Sequence, residues 1–169
     1  VVFSVKAALL PLCFWLPGGY AAASGAVAVM FAVLTKVGLY ALLRVGGTVY
    51  AGEAGLASAL LLPVGLATLA VGTIGALAAP DLSRLAAQAV IASAGTAVVA
   101  FAVGGAPAVA AGVLYLLQSS LTAALLFLMA DGLRRSHADG DRFAASEAQA
   151  PSPAQSALLL LALLAIAGV

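Results

Sequence analysis

The chain has 169 residues, of which 64% are hydrophobic and 8% charged, with a net charge of +1 and a mean hydropathy of +1.19. No soluble fold of this length has the interior to hide so much apolar surface, so the composition specifies an integral membrane protein. The near-neutral balance excludes a nucleic-acid binder, which needs clustered Lys and Arg to neutralise phosphates, and the single cysteine, Cys13, excludes an internal disulfide and a cysteine metal site.

A helix needs about 20 apolar residues to cross a bilayer. On that rule the chain reads as four full spans and two partial ones. The first, residues 1–16, opens on Val1 with no basic segment ahead of it, unlike a signal peptide. After a loop at 17–23 come spans at 24–46, 56–78, 82–103 and 107–130, separated by "GTVYAGEAG", "AAPDLSR" and "GGAP". The polar stretch 131–155, with both charge signs, Ser, Pro and Gly, reads as a solvated connector rather than an interfacial helix. A partial span fills 156–169. Both ends therefore read as interior to a longer membrane protein. Nothing alternates with strand period, and the runs are too long for barrel strands. The fold class is an all-α polytopic transmembrane helix bundle, one transmembrane domain over 1–169. Arg84, Arg134, Arg135 and Arg142 gather on one side and Arg44 stands on the other, which makes loop 131–155 cytoplasmic.

Charges inside spans carry the functional information, because a lysine at the bilayer centre costs at least ~2.5–3.5 kcal/mol. Lys36 lies near the middle of span 24–46, too deep to reach either surface, with Tyr40 and Arg44 one and two turns further along the same face. Lys6 stands in "KAALLPLCFWLPGGY" ahead of Pro11 and Pro17. Pro11 lacks an N–H, so the carbonyl of Ala7 loses its helical partner and the helix breaks directly after Lys6. A broken helix beside a buried charge is how transporters build ion sites near the midplane. In span 107–130, Tyr115, Gln118, Ser119 and Thr122 fall on one helix face, a polar stripe expected to face the bundle interior, either as interhelical hydrogen bonds or as part of a proton path. Asp81 reads as a helix N-cap. His137, the only histidine, reads as an exposed loop residue and not as a metal ligand. The glycines and alanines of span 56–78 read as close helix packing.

"KAALLPLCFWLPGGY" followed by "LTKVGLYALLRV" resembles the antiporter-like membrane subunits shared by Mrp-type cation/proton antiporters, respiratory complex I and membrane-bound hydrogenases. "AAPDLSRLAAQAVIASAGT" and "YLLQSSLTAALLFLMADGL" resemble the helices that follow in that family, so the resemblance covers nearly the whole chain. It looks most like the D-type subunit of the Mrp-type Na+(K+)/H+ antiporters. The resemblance implies a fourteen-helix fold with inverted repeats, each holding a discontinuous helix. It makes Lys6 the broken-helix lysine and Lys36 the lysine of the next helix, both relaying protons, with Tyr40, Gln118, Ser119 and Thr122 as a supporting polar path and Pro11 and Pro17 as the helix break. Relatives often carry His at the positions of Cys13 and Gln118, Asp at Gly18 and Pro at Gly25. Losing both histidines favours an antiporter over a quinone-linked pump.

The implied function is cation/proton antiport by one subunit of a larger complex in the plasma membrane, multi-pass, exchanging protons for Na+ or K+. Hydrocarbon disfavours a charged lysine and a nearby carboxylate restores it, so moving that carboxylate, or bringing a cation beside it, loads or unloads a proton. The family's carboxylate partner would lie upstream and its second broken-helix charge downstream. The alternative is a proton-pumping subunit of an NADH–quinone oxidoreductase or hydrogenase; a third reading is a structural scaffold in which both lysines are replaceable. No residue pattern binds flavin, haem or an iron–sulfur cluster, so the reading is a transporter subunit without catalytic residues, metal or cofactor. Even in a respiratory assembly it would hold no redox site.

Overall fold

A computed structural model describes residues 5–49, 54–136 and 153–167. Glu53, His137, Arg142 and most of the 131–155 segment lie outside the described residues. Six helices have described bounds: α1 Trp15–Ala22, α2 Gly25–Val49, α3 Ala54–Leu77, α4 Leu82–Val103, α5 Ala106–Ser136 and α6 Pro153–Ala167. Four of them are long and apolar enough to cross a membrane, over Gly25–Val45, Ala59–Leu77, Leu82–Val103 and Ala106–Arg135. Among the described residues there is no strand ladder. The protein is a multi-pass transmembrane helix bundle.

The first apolar run is a discontinuous helix. Val5 and Lys6 are helical, residues 7–14 form successive turns, and α1 resumes at Trp15. Pro11 lies within the break. Pro17 does not: read from sequence as a second breaker in a loop at 17–23, it sits in the first turn of α1. There the backbone N–H has no intrahelical acceptor, so a missing donor costs nothing. One side of the break is buried, while Pro11, Leu12 and Phe14 are exposed. Ala7, Ala8, Leu9 and Cys13 are each at most 2% exposed, packed into two apolar clusters shared with α2, α4 and α5.

At its other end the bundle departs from the expected boundary too. α5 runs on to Ser136, six residues past the expected end at 130. Arg134 and Arg135 in its last turn complement the carbonyl end of the helix dipole, and Arg135 pairs with Asp131 one turn back at 2.6 Å. The start of the polar segment is therefore helix rather than connector.

α4 is the central helix and packs against α1, α2, α3 and α5. It opens on Asp81, whose side chain accepts a hydrogen bond from the Arg84 N–H at 2.7 Å, the N-cap expected from sequence. Its tightest partner is α3. A Cβ on Gly72 would meet the Ala92 backbone, and one on Gly95 would meet the backbone of Leu69 and Gly65. The two backbones touch where side chains would otherwise hold them apart, so α3 and α4 pack as a close pair.

Candidate functional site

Lys36 is 5% exposed. It stands 11 residues from Gly25 and 13 from Val49, the ends of α2, or about 16 and 20 Å along the axis. It belongs to the stripe Ala28, Ala32, Thr35, Lys36 and Leu39 that α2 turns inward. Its Nζ donates to Ser93 Oγ on α4. Among the described residues no carboxylate pairs with it; the ion pairs there join Arg84 to Asp81 and Arg135 to Asp131, both near helix ends. Ser93 is itself buried and donates to the Val90 carbonyl at 2.8 Å, so the hydroxyl proton is spent on its own helix and a lone pair is left facing Lys36.

Ser93 also lines a cavity of about 480 Å³ between α3, α4, α5 and α6. The four stripe residues of α5, Tyr115, Gln118, Ser119 and Thr122, all line it, joined by Thr73 of α3 and Thr96 of α4. Around them the wall is Leu and Ala. The α5 hydroxyls and Thr96 repeat the habit of Ser93. Thr96 donates to Ala92 at 3.1 Å, Ser119 to Leu116 at 3.2 Å and Thr122 to Gln118 at 3.0 Å, each a carbonyl of its own helix. Their oxygens therefore meet the cavity as acceptors. The Gln118 amide donates across it to the Ala165 carbonyl of α6 at 3.1 Å. A space of this size with several polar groups holds water readily, and Ser93 is the one residue that both lines it and accepts from Lys36.

The other sequence-derived residues fall differently. Tyr40 is 48% exposed and Arg44 is exposed, so the face that begins at Lys36 turns out of the interior within one turn. Lys6 is exposed at the last helical residue before the break, while its backbone is pressed against α2. A Cβ on Gly38 would lie 3.1 Å from the Lys6 carbonyl carbon and 3.2 Å from the Ala7 nitrogen. The structure thus seats the break on α2 two residues past Lys36. Cys13 is buried, whereas Gly18 has nothing within 4 Å of a would-be Cβ.

Two residues escaped the sequence reading. Ser93 sits in "VIASAGTAV", where it is one small residue among many. Thr68 of α3, fully buried, accepts a hydrogen bond from the Leu10 N–H at 3.2 Å inside the break and donates to the Val64 carbonyl at 2.7 Å. The available signal was the same for both: a hydroxyl near the middle of an otherwise apolar span, where a backbone or side-chain group without water needs a partner.

The family model for the transmembrane region of NADH:quinone oxidoreductases and Mrp antiporters matches residues 1–169. The D-type subunit of a probable K+/H+ antiporter from Rhizobium meliloti is 41% identical over 139 residues, 80% of this chain and 26% of that protein. The corresponding D-type subunit of the Na+/H+ antiporter from Bacillus subtilis is 32% identical over 134 residues, covering 79% and 27%. The chain therefore spans about a quarter of the length of these curated relatives. Among solved structures, a chain of the Mrp complex from Dietzia sp. superposes with a TM-score of 0.74 at 28% identity, over 78% of this chain and 25% of that one. A chain of the membrane-bound sulfane sulfur reductase, an archaeal respiratory membrane complex, superposes with a TM-score of 0.85 at 26% identity, over 99% and 35%.

Proposed function

This chain belongs to the NADH:quinone oxidoreductase/Mrp antiporter transmembrane family, and from that we propose that it forms part of a proton-translocating subunit of a multisubunit monovalent cation/proton antiporter. The observation that carries the reading is Lys36, buried at mid-span and hydrogen-bonded to Ser93 at the wall of a polar-striped cavity. Three properties of that arrangement suit proton relay. The amine is a titratable group in the dry middle of the bundle. The cavity offers water a place within one hydroxyl of it. The acceptor oxygens of Ser119, Thr122 and Thr96 favour a donor species, water or hydronium, over an anion.

In this mechanism Lys36 takes a proton, holds it against Ser93, and passes it to water in the cavity. Lys6, beside the break that rests on Gly38, serves as the neighbouring relay, and a carboxylate from elsewhere in the whole subunit modulates both. Na+ or K+ is the counter-ion, as the relatives' names support. Other subunits of the complex are its partners, and the plasma membrane, with the 131–155 side cytoplasmic, is its location. The high similarity to a respiratory membrane complex supports a second reading, redox-coupled proton pumping with the same lysines.

The test is Lys36→Leu in the full-length subunit within its complex. Among the described residues no carboxylate pairs with Lys36, so replacing it with leucine orphans none of them and relieves the desolvation of the amine, and the variant assembles. Cation/proton exchange in everted vesicles, read with a pH-sensitive dye, is abolished. Exchange at the wild-type rate refutes Lys36 as a relay. Proton movement that needs electron transfer and ignores a Na+ or K+ gradient selects the second reading.

A further inference from the structure

Inside the broken helix, one backbone donor bonds a side chain of another helix. Between Lys6 and Trp15 the backbone makes short turn bonds, Ala8 N–H to Val5 at 3.2 Å and Leu12 N–H to Leu9 at 2.8 Å. The Leu10 N–H instead leaves the segment and donates to Thr68 Oγ1 on α3. Thr68 can accept because its own proton goes to the Val64 carbonyl. The segment is not at ease in this shape: Ala8, fully buried, has φ of 55°, a left-handed conformation that alanine rarely adopts. A conformation like that persists only where its surroundings fix it. α3 in turn is seamed to α4 at Gly72 and Gly95, and α4 carries Ser93, which holds Lys36.

We propose that Thr68 is a positioning residue that pins the unwound segment after Lys6 to the α3–α4 pair. The mounts of both lysines are thereby fixed to one rigid unit. Lys6 is placed through Leu10 and Thr68, Lys36 through Ser93, and the glycine seam sets the spacing between them. A valine at 68 fills the same volume but leaves the half-buried Leu10 donor without its partner, so the break loosens. A serine keeps the acceptor.

Cys13 provides a local probe. It lies in the same unwound segment, is 1% exposed, and is the one cysteine in these residues. In the assembled complex, Thr68→Val raises the rate of N-ethylmaleimide labelling at Cys13, read by peptide mass spectrometry, by about tenfold, the equilibrium worth of one lost hydrogen bond. Thr68→Ser restores the wild-type rate. Wild-type labelling in Thr68→Val, or a serine variant that labels like the valine, overturns the proposal. Should the valine variant fail to assemble, hydrogen–deuterium exchange on the wild-type complex decides. A Leu10 amide protected like those of α1 upholds the pin, and one exchanging at the unprotected rate overturns it. The transport readout rests on the antiporter reading: Thr68→Val lowers exchange turnover with the half-saturating cation concentration unchanged, and serine rescues it. A wild-type complex with no cation/proton exchange defeats that reading alone, since labelling and amide exchange still judge the pin.

Discussion

Ser93→Ala is the sharpest perturbation the structure offers. It deletes one oxygen and leaves the lysine in place. Among the described residues Ser93 is the acceptor of the Lys36 amine, which is 5% exposed and has no nearby carboxylate there. Without that oxygen the amine loses the acceptor that Ser93 provides. A hydrogen bond to a charged group nets about 1.5–3 kcal/mol, which converts to roughly 10- to 150-fold in any equilibrium or rate that depends on the held proton. The helix itself bears little cost, because alanine is the best helix former and the hydroxyl bonded only to its own turn. The complex is reconstituted in liposomes with a pH-sensitive dye inside, and exchange starts with a jump in Na+ or K+. Turnover falls by about tenfold or more while the half-saturating cation concentration stays put, the mark of a lost interaction in the transfer step rather than in cation binding. Ser93→Thr, which keeps the hydroxyl, retains most of the rate. Turnover within about twofold of wild type in the alanine variant would show that Lys36 does not need Ser93 and that the cavity is not its outlet.

Gly95→Ala places a Cβ 2.8 Å from the Gly65 carbonyl oxygen, so α3 and α4 must part at a cost of about 1–3 kcal/mol; the thermal unfolding midpoint of the purified complex drops, while Gly18→Ala, with nothing within 4 Å, leaves it unchanged. Ser119→Ala combined with Thr122→Val strips two acceptors from the cavity wall, leaving water fewer partners, and slows exchange by about tenfold. Tyr40→Phe, at a half-exposed position, changes turnover by less than about twofold in the same dye assay, because the route to Lys36 runs through Ser93.

Solvent and local chain chemistry account for the features that residue order alone makes legible. Apolar runs of bilayer length become helices whatever they pack against, since hydrocarbon leaves the backbone no other partner. Lys36 is deep because α2 is long, and Asp81 caps α4 because a carboxylate before a helix finds its free N–H groups. The helix breaks after Lys6 because Pro11 has no donor. Helical periodicity put Tyr115, Gln118, Ser119 and Thr122 on one side of α5, and in the structure they line one cavity, with Thr122 buried and Gln118 exposed. Local rules failed at boundaries, where Pro17 sits inside the first turn of α1 and where the Asp131–Arg135 pair carries α5 onward.

Partnership between helices came from packing alone. Ser93 and Thr68 look alike in sequence, each a small hydroxyl residue in an apolar run rich in small side chains. They differ because α4 is rotated to turn Ser93 toward Lys36 while α3 is rotated to set Thr68 against the break. Tyr40 shows the converse: it follows Lys36 by one turn, yet it is half exposed. Helical periodicity fixes which residues of one helix share a face. Which face meets which neighbour depends on how close two backbones come, and here the glycines of α3 and α4 set that distance.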